Sequence, residues 1–478
     1  MFRTIAKTWP QGDLPARAYR MAILRRVLEG SFYDNLPHAF AEESNVAGEY
    51  VPLRKRRPSV RASICRIVVD DSVSLLFGDD NAPSIVLENK EQEANLRRVL
   101  AEANCNEAML EAGTRGAVGS IAVMFQVLRG RVFLRVLDTD SLTPTWDSEA
   151  PDTLISVTER YQVKGAVLAD LGYTIAPADL AATFWFQRTW DTQSETWYQP
   201  QKITAKSQPK LDAKRSVQHK LGFVPIAWIK NLPGGDGIDG MPTITGEAID
   251  CQIEVDYQLS QAGRALKFMG DPTLVIKENS PEDGPRVKGA ANALSVPETG
   301  DAKLLEISGE ASTAVIEYVK HLREVALESL HGNRATNEKI AAAQSGKAME
   351  LMNQPLIWLA GKLRISYGGA LIELAIMVIK ASKMIGLVFR DGTPAGAFDQ
   401  KEPTLNWPRW FAPTLHELQS RASTLVQLTS AGLMSRETAI GILCAEYGIE
   451  DADAEKVLAD AELAARNATA KIQVAIAE

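Results

Sequence analysis

Few residues in this 478-residue chain have the types and spacing that chemistry demands. Ser345-Gly346-Lys347 matches the end of a phosphate-binding loop, where backbone amides cradle phosphates, a lysine reaches the outer ones and a hydroxyl holds Mg²⁺. Position 341 is Ala where the opening glycine must lie, and Ala348 replaces the hydroxyl. Gly113-Thr-Arg-Gly116-Ala-Val-Gly119 lacks the Gly-x-Gly spacing that brings a backbone against a dinucleotide. There is no Gly-x-Ser-x-Gly elbow and no His-Glu-x-x-His pair. His38, His219, His321, His331 and His416 are scattered. Asp70-Asp71 and Asp79-Asp80 read as solvated charges at helix ends or in loops. Cys65, Cys105, Cys251 and Cys444 are far apart, without metal-ligand spacing, and read as reduced, buried thiols. Catalysis, a metal and a cofactor are therefore not expected.

The informative stretch runs from Leu221 to Leu351. It opens with Gly222-Phe-Val-Pro225 and the glycine-rich loop Leu232 to Gly240. A helical pattern follows from Met241 to Met269. Ile244, Ala248, Cys251, Val255, Leu259, Ala262, Leu266 and Met269 form its apolar stripe, and Glu247, Asp250 and Glu254 face water. Gly270 ends it and Asp271-Pro272 prevents continuation. Residues 270–308 carry few apolar positions, with strands expected at Thr273–Lys277, Ala293–Val296 and Lys303–Ile307 around the turn cluster Asn279 to Pro285. Such an insert cannot bury a core alone and must gain order from neighbouring subunits.

A second helix is expected from Gly309 to Leu330, about 33 Å long. Val315, Tyr318, Val319, Leu322, Ala326 and Leu330 share one face; Glu317, His321, Glu324 and Glu328 share another. A polar loop starts at His331, and a long apolar helix runs from about 348 to 388, kinked or started at Pro355.

Upstream, helices are expected at Ala16–Gly30, residues 59–78 and Glu91–Gly113, with a short strand at Ser84–Leu87. Ile121–Leu128 and Val132–Leu137 form a hairpin across Arg129-Gly130-Arg131. Asp138–Trp146, which contains Pro144, reads as a loop. Further strands are expected at Ile155–Val163, Thr183–Thr189 and Thr196–Tyr198, with the aromatic residues of 184–198 as packing. Downstream, helices are expected at Leu415–Ala431 and after Ser435, an N-cap. Arg54-Lys-Arg-Arg57 is a basic run that reads either as a solvated loop or as a contact with DNA or an assembly factor.

Hydrophobic residues make up 45% and charged residues 23% of the chain, ordinary values that allow two to four domains. Net charge is −8 and pI about 5.5. A protein that grips DNA normally carries a basic patch, so this balance suits a passage along which DNA slides better than a binder. The start of the chain lacks a signal-peptide pattern. The most apolar run, 355–389, is interrupted by Lys362, Arg364, Glu373, Lys380 and Lys383, so no membrane span is expected.

The order and spacing of Gly222–Pro225, Gly237–Gly240, Ile249-Asp250, Ser260, Asp271–Ile276 and Ser345–Glu350 resemble the core of tailed-bacteriophage portal proteins. Ile67–Gly78, with its Leu-Phe-Gly ending, and Gly432-Leu-Met-Ser-Arg-Glu-Thr438 extend the resemblance from about residue 20 to about 460. It implies an α+β portal fold, mainly helical, with an α+β wing, paired stem helices, a small β-containing clip and a helical crown. The implied boundaries are wing 1–235, first stem helix 236–269, clip 270–308, second stem helix 309–330, tunnel loop 331–347, long wing helix and return strand 348–410, and crown 411–478.

The implied function is a ring, of twelve subunits, at one capsid vertex. It is the conduit for genome packaging and ejection, and it docks the terminase and then the head-tail connector. The alternatives are a DNA-packaging enzyme or another ring-forming scaffold. Implied partners are double-stranded DNA bound without sequence preference, the terminase large subunit, a head-completion adaptor, the major capsid protein and a scaffolding protein. The implied location is the virion, after assembly in the host cytoplasm. By the same resemblance, Arg334, Asn337, Lys339 and Lys347 of the tunnel loop meet DNA. Glu317, His321, Glu324 and Glu328 line the channel, unless they are plain solvent-exposed charges. Glu278, Glu282, Asp283, Arg286 and Lys288 of the clip receive terminase or adaptor.

Overall fold

The computed structural model describes residues 1–78, 81–204, 208–270, 274–278, 293–297, 309–332, 350–399, 402–411, 415–447 and 454–462. They fall into two compact units, one of Met1–Arg334 with Gln354–Pro408, the other of Ala335–Asn353 with Arg409–Glu478. The mixture of helix and sheet is α+β, as expected.

The first unit begins with α1 (Phe2–Ala6) and α2 (Ala16–Glu29). Gly30, in the left-handed region at φ 75°, closes α2, and the amides of Gly30 and Ser31 return to Val27 and Arg26. The two-residue strands β1 (His38–Ala39) and β2 (Arg56–Arg57) then pair in parallel. Residues 58–63 are not helical and Ser63 is left-handed at φ 47°, so α3 (Ile64–Phe77) starts later than its apolar pattern suggests. Strand β3 is Ser84–Val86. The helix expected over Glu91–Gly113 is two helices, α4 (Lys90–Glu102) and α5 (Cys105–Gly116), because Asn104 takes a left-handed conformation between them.

Strands β4 (Ser120–Leu128) and β5 (Arg131–Asp138) form the expected hairpin. Arg129 and Gly130 both have positive φ, the turn whose twist matches the strands. The loop expected at Asp138–Trp146 contains instead a 3₁₀ turn and an edge strand, β6 (Leu142–Trp146). An edge strand tolerates Pro144 because one side needs no amide donor. Then come β7 (Leu154–Lys164), α6 (Gly165–Asp170), β8 (Thr183–Trp190), β9 (Ser194–Trp197), β10 (Gln201–Lys202) and β11 (Val217–Gln218). They complete a six-stranded sheet of order β11-β9-β8-β7-β6, with β10 also on β8. Phe184, Phe186 and Trp190 are buried under it, as packing residues. Strand β12 (Ile226–Lys230) joins β4 and β5 as a separate three-stranded sheet.

Two long helices follow, α7 (Gly246–Gly270) and α8 (Gly309–Ser329), packed on each other. Between them, β13 (Leu274–Glu278) and β14 (Ala293–Pro297) pair in parallel. The strand expected at Lys303–Ile307 lies outside the described residues. Helix α9 (Gln354–Met384) is the apolar centre of this unit. Pro355 stands in its first turn, where no amide donor is missed. Among the described residues it is the one helix long and apolar enough to cross a bilayer. It packs instead on α3 and β12, with Leu359, Leu363, Leu374 and Val378 buried. Strand β15 (Thr404–Asn406) returns to pair with β3.

In the second unit, α10 (Leu415–Ser430) packs on α11 (Arg436–Tyr447), and residues 454–462 form α12. Ser435 caps α11: its hydroxyl accepts from the Thr438 amide at 3.1 Å.

Candidate functional site

The entry to α7 is built by two glycine segments that meet. The carbonyl of Gly119 accepts from the amides of Asn231 and Gly240, each at 3.0 Å. A Cβ on Gly240 would stand 2.5 Å from the Leu232 carbonyl oxygen. The glycines of 113–119 are thus packing residues, not a dinucleotide cradle: a Cβ on Gly116 would lie 2.5 Å from the Tyr367 hydroxyl. Asp239, whose side chain is 3% exposed, accepts from Arg17 Nε and Nη2 at 2.7 Å each and from the Ser120 hydroxyl at 2.5 Å. Arg17 Nη1 also donates to the carbonyls of Thr139 and Leu142. This bidentate, buried pair ties α2, β4 and the glycine loop together.

Because Met241 pairs with Leu232 and the Thr243 amide donates to Ala117, α7 cannot start at Met241 as expected. It starts at Gly246, with the Thr245 hydroxyl accepting from the Ala248 amide. The buried face of α7 also differs from the expected stripe. Ile249, Gln252, Ile253, Asp256, Tyr257 and Ser260 are buried with Ala248 and Val255, while Leu266 is 56% exposed.

That inner face holds residues 56–65, which lead into the start of α3, by their backbone. Tyr257 donates to the Arg56 carbonyl at 2.8 Å, and the Val60 amide donates to the Ser260 hydroxyl at 3.0 Å. The Ala62 amide donates to Asp256 at 2.7 Å and the Cys65 amide to Gln252 at 2.9 Å. The Tyr33 hydroxyl donates to the other Asp256 oxygen at 2.7 Å. Burial pushes the Asp256 carboxyl up to about 6, against the lowering effect of the bonds from Ala62 and Tyr33. Burial, and then the Asp256 charge, push the Tyr33 hydroxyl upward. Gln252, Asp256 and Ser260 were not singled out as a group in the sequence. Their signal is there: polar residues at steps of four beside apolar Ile249, Ile253 and Tyr257.

Beyond Ser260 the paired helices leave this anchor. Among the described side chains of α8, Ala326 and Leu327 are buried, as is Leu330 just beyond it. Glu317, His321, Glu324 and Glu328 are all exposed. Tyr318, expected on the apolar face, is 46% exposed, and Ile316 is 54% exposed. At its end, the Gly332 amide returns to Leu327 and the His331 amide to Glu328, with His331 left-handed at φ 54°. Arg334, Asn337, Lys339 and Lys347, expected in a tunnel loop, lie outside the described residues, as do Glu282, Asp283, Arg286 and Lys288. Glu278 is the last residue of β13.

Asp70 and Asp71 sit within α3, not at its end, and Asp70 pairs with Arg66 at 2.6 Å. Asp79-Asp80 lies outside the described residues. All four cysteines are free, and Cys251 is half-buried where burial was expected. Among the described residues no three His, Cys, Asp or Glu side chains are grouped to hold a metal.

A family model described as phage portal protein, SPP1 Gp6-like, matches residues 26–467. The chain belongs to the phage portal protein family. No curated protein sequence matches the chain. Portal proteins are structural proteins of the bacteriophage, with roles in DNA packaging and as head-to-tail connector. The family implies a multimeric ring at the capsid vertex, acting with the capsid and DNA. For a portal subunit, the α7–α8 pair and the segment between its helices are the candidate working parts.

Proposed function

We propose that α7 and α8 are the stem of the portal ring, that residues 270–308 are its clip and 331–347 its tunnel loop, with wing and crown divided as the resemblance implies. In this reading the ring has twelve subunits and conducts the genome during packaging and ejection. The clip receives the terminase large subunit and then the head-completion adaptor, and the wing and crown meet the major capsid and scaffolding proteins. The protein carries no catalysis of its own. Assembly takes place in the host cytoplasm.

The observation that carries this reading is the helix pair itself. Its outer half exposes Leu266, Ile316 and Tyr318, apolar side chains the chain does not cover. Large apolar side chains left exposed along a helix pair suit an association site. Glu317, Glu324 and Glu328 on the same helix suit a wall along which like-charged DNA moves without sticking. The test is the variant Ile316→Asp with Tyr318→Asp, followed by sedimentation. It should remain monomeric while its first unit melts as the parent does. Rings of normal size from the variant would contradict the reading.

A further inference from the structure

We propose that Arg54, Lys55 and Arg57 form a pre-organised contact for the phosphate backbone of duplex DNA, separate from the stem and tunnel loop. The inference rests on the portal reading only for the presence of DNA near the protein.

The four cations of the run divide in the fold. Arg56 turns inward and is 1% exposed. Its guanidinium donates to the Phe40 carbonyl at 3.2 Å and to the Tyr50 hydroxyl at 3.0 Å, and lies over both rings. Its own carbonyl accepts from Tyr257 of α7. Its strand, β2, pairs with β1, and the 3₁₀ turn Leu53–Lys55 precedes it. The run is therefore pinned through its side chain and its backbone at one residue, and the cations on either side stay exposed.

Among the described residues, no ion pair engages Arg54, Lys55 or Arg57. The nearby carboxylates are already engaged. Glu43 pairs with Arg264, and the hydrogen bond from His38 leads the effects that hold the Glu42 carboxyl below its ordinary range, with Arg57 adding a smaller one. A chain of net charge −8 has no general attraction for DNA, so affinity must come from local clusters such as this. Fixing the backbone beforehand lowers the ordering cost of each phosphate contact.

A protein partner fits less well. Interfaces between proteins centre on apolar residues and are depleted in lysine. Here Val51 and Pro58 are buried, Pro52 and Leu53 half-buried, and the exposed Tyr50 ring is taken by Arg56.

The test compares the full chain with a variant carrying Arg54→Ala, Lys55→Ala and Arg57→Ala, leaving Arg56 in place. Affinity for a linear duplex of random sequence is measured over a series of salt concentrations, with assembly state checked by sedimentation. The variant should assemble as the parent does. Its log–log salt slope should be shallower by about 0.9 for each phosphate that is no longer neutralised. A second variant, Arg54→Lys with Arg57→Lys, should keep the parent's slope, since the contact is between point charges. An unchanged slope in the alanine variant overturns the proposal and leaves the run a solvated loop. Loss of assembly overturns it in favour of a contact with a protein. The comparison holds in whatever assembly state the parent adopts. A parent that forms no ring contradicts the portal reading without deciding this one.

Discussion

Asp256 is a residue whose ionisation the fold controls through burial. Its carboxyl is fully buried and pushed from 3.8 to about 6. The native state therefore holds the proton more tightly than the unfolded chain. The stabilising contribution is complete below about pH 4, falls as pH rises and is lost above about pH 6, a change on the order of 3 kcal/mol. Asp256→Asn abolishes this titration and sacrifices one of the two hydrogen bonds accepted from Tyr33 and Ala62. Chemical denaturation across pH 4 to 6 should show the parent losing about 1.4 kcal/mol more per pH unit than the variant. Parallel pH profiles would mean that the carboxylate is not desolvated by this packing. Residues of this kind are hard to read from a sequence. Arg17 and Asp239 are 222 positions apart, and neither has a local pattern that names the other. Gln252, Asp256 and Ser260 do share a helical period, but the neighbouring apolar stripe of α7 obscures it.

At the scale of elements, local chemistry is the better guide. The Arg129-Gly130 turn, the glycine closing α2 and the Ser435 cap depend on a few adjacent residues, and all are legible in the sequence. Pattern misleads where tertiary pairing overrides it. Pro144 argues for a loop until an edge position makes it harmless, and Met241 is held out of α7 by its pairing with Leu232. Two glycines in helices separate packing from propensity. Gly116→Ala would drive a methyl into Tyr367 and Ile121 and should cost about 1–3 kcal/mol. Gly361→Ala, with nothing within 4 Å, should instead gain up to about 1 kcal/mol. Thermal melts of the two variants check this, and equal shifts would mean that α5 and α9 do not pack so closely. The segment after α8, proposed above as the tunnel loop, carries a functional prediction. Arg334→Ala with Lys339→Ala should leave ring assembly intact and reduce retention of full-length DNA, because each subunit then offers two fewer cations to the phosphates. Normal packaging and retention by that variant would remove the loop from the channel.

For the whole molecule, the distribution of apolar surface tells more than composition. Helix α9 is apolar because it is the centre of the first unit, and the charges that interrupt it are visible in the sequence. The outer halves of α7 and α8 are different: apolar residues stand exposed there, and the insert between the helices has little with which to build a core. The order of these elements, and hence the family, can be read along the chain. Their anchoring cannot, because it comes from contacts between residues far apart in the chain. The central claim is that the α7–α8 pair lines an axial channel. An electron cryo-microscopy reconstruction of the purified chain tests it most directly. The account predicts a ring with a central hole, Glu317, Glu324 and Glu328 facing that hole, and residues 271–308 gathered at one end. A chain that stays monomeric, or a ring whose α7–α8 pair lies on its outer surface, would contradict it.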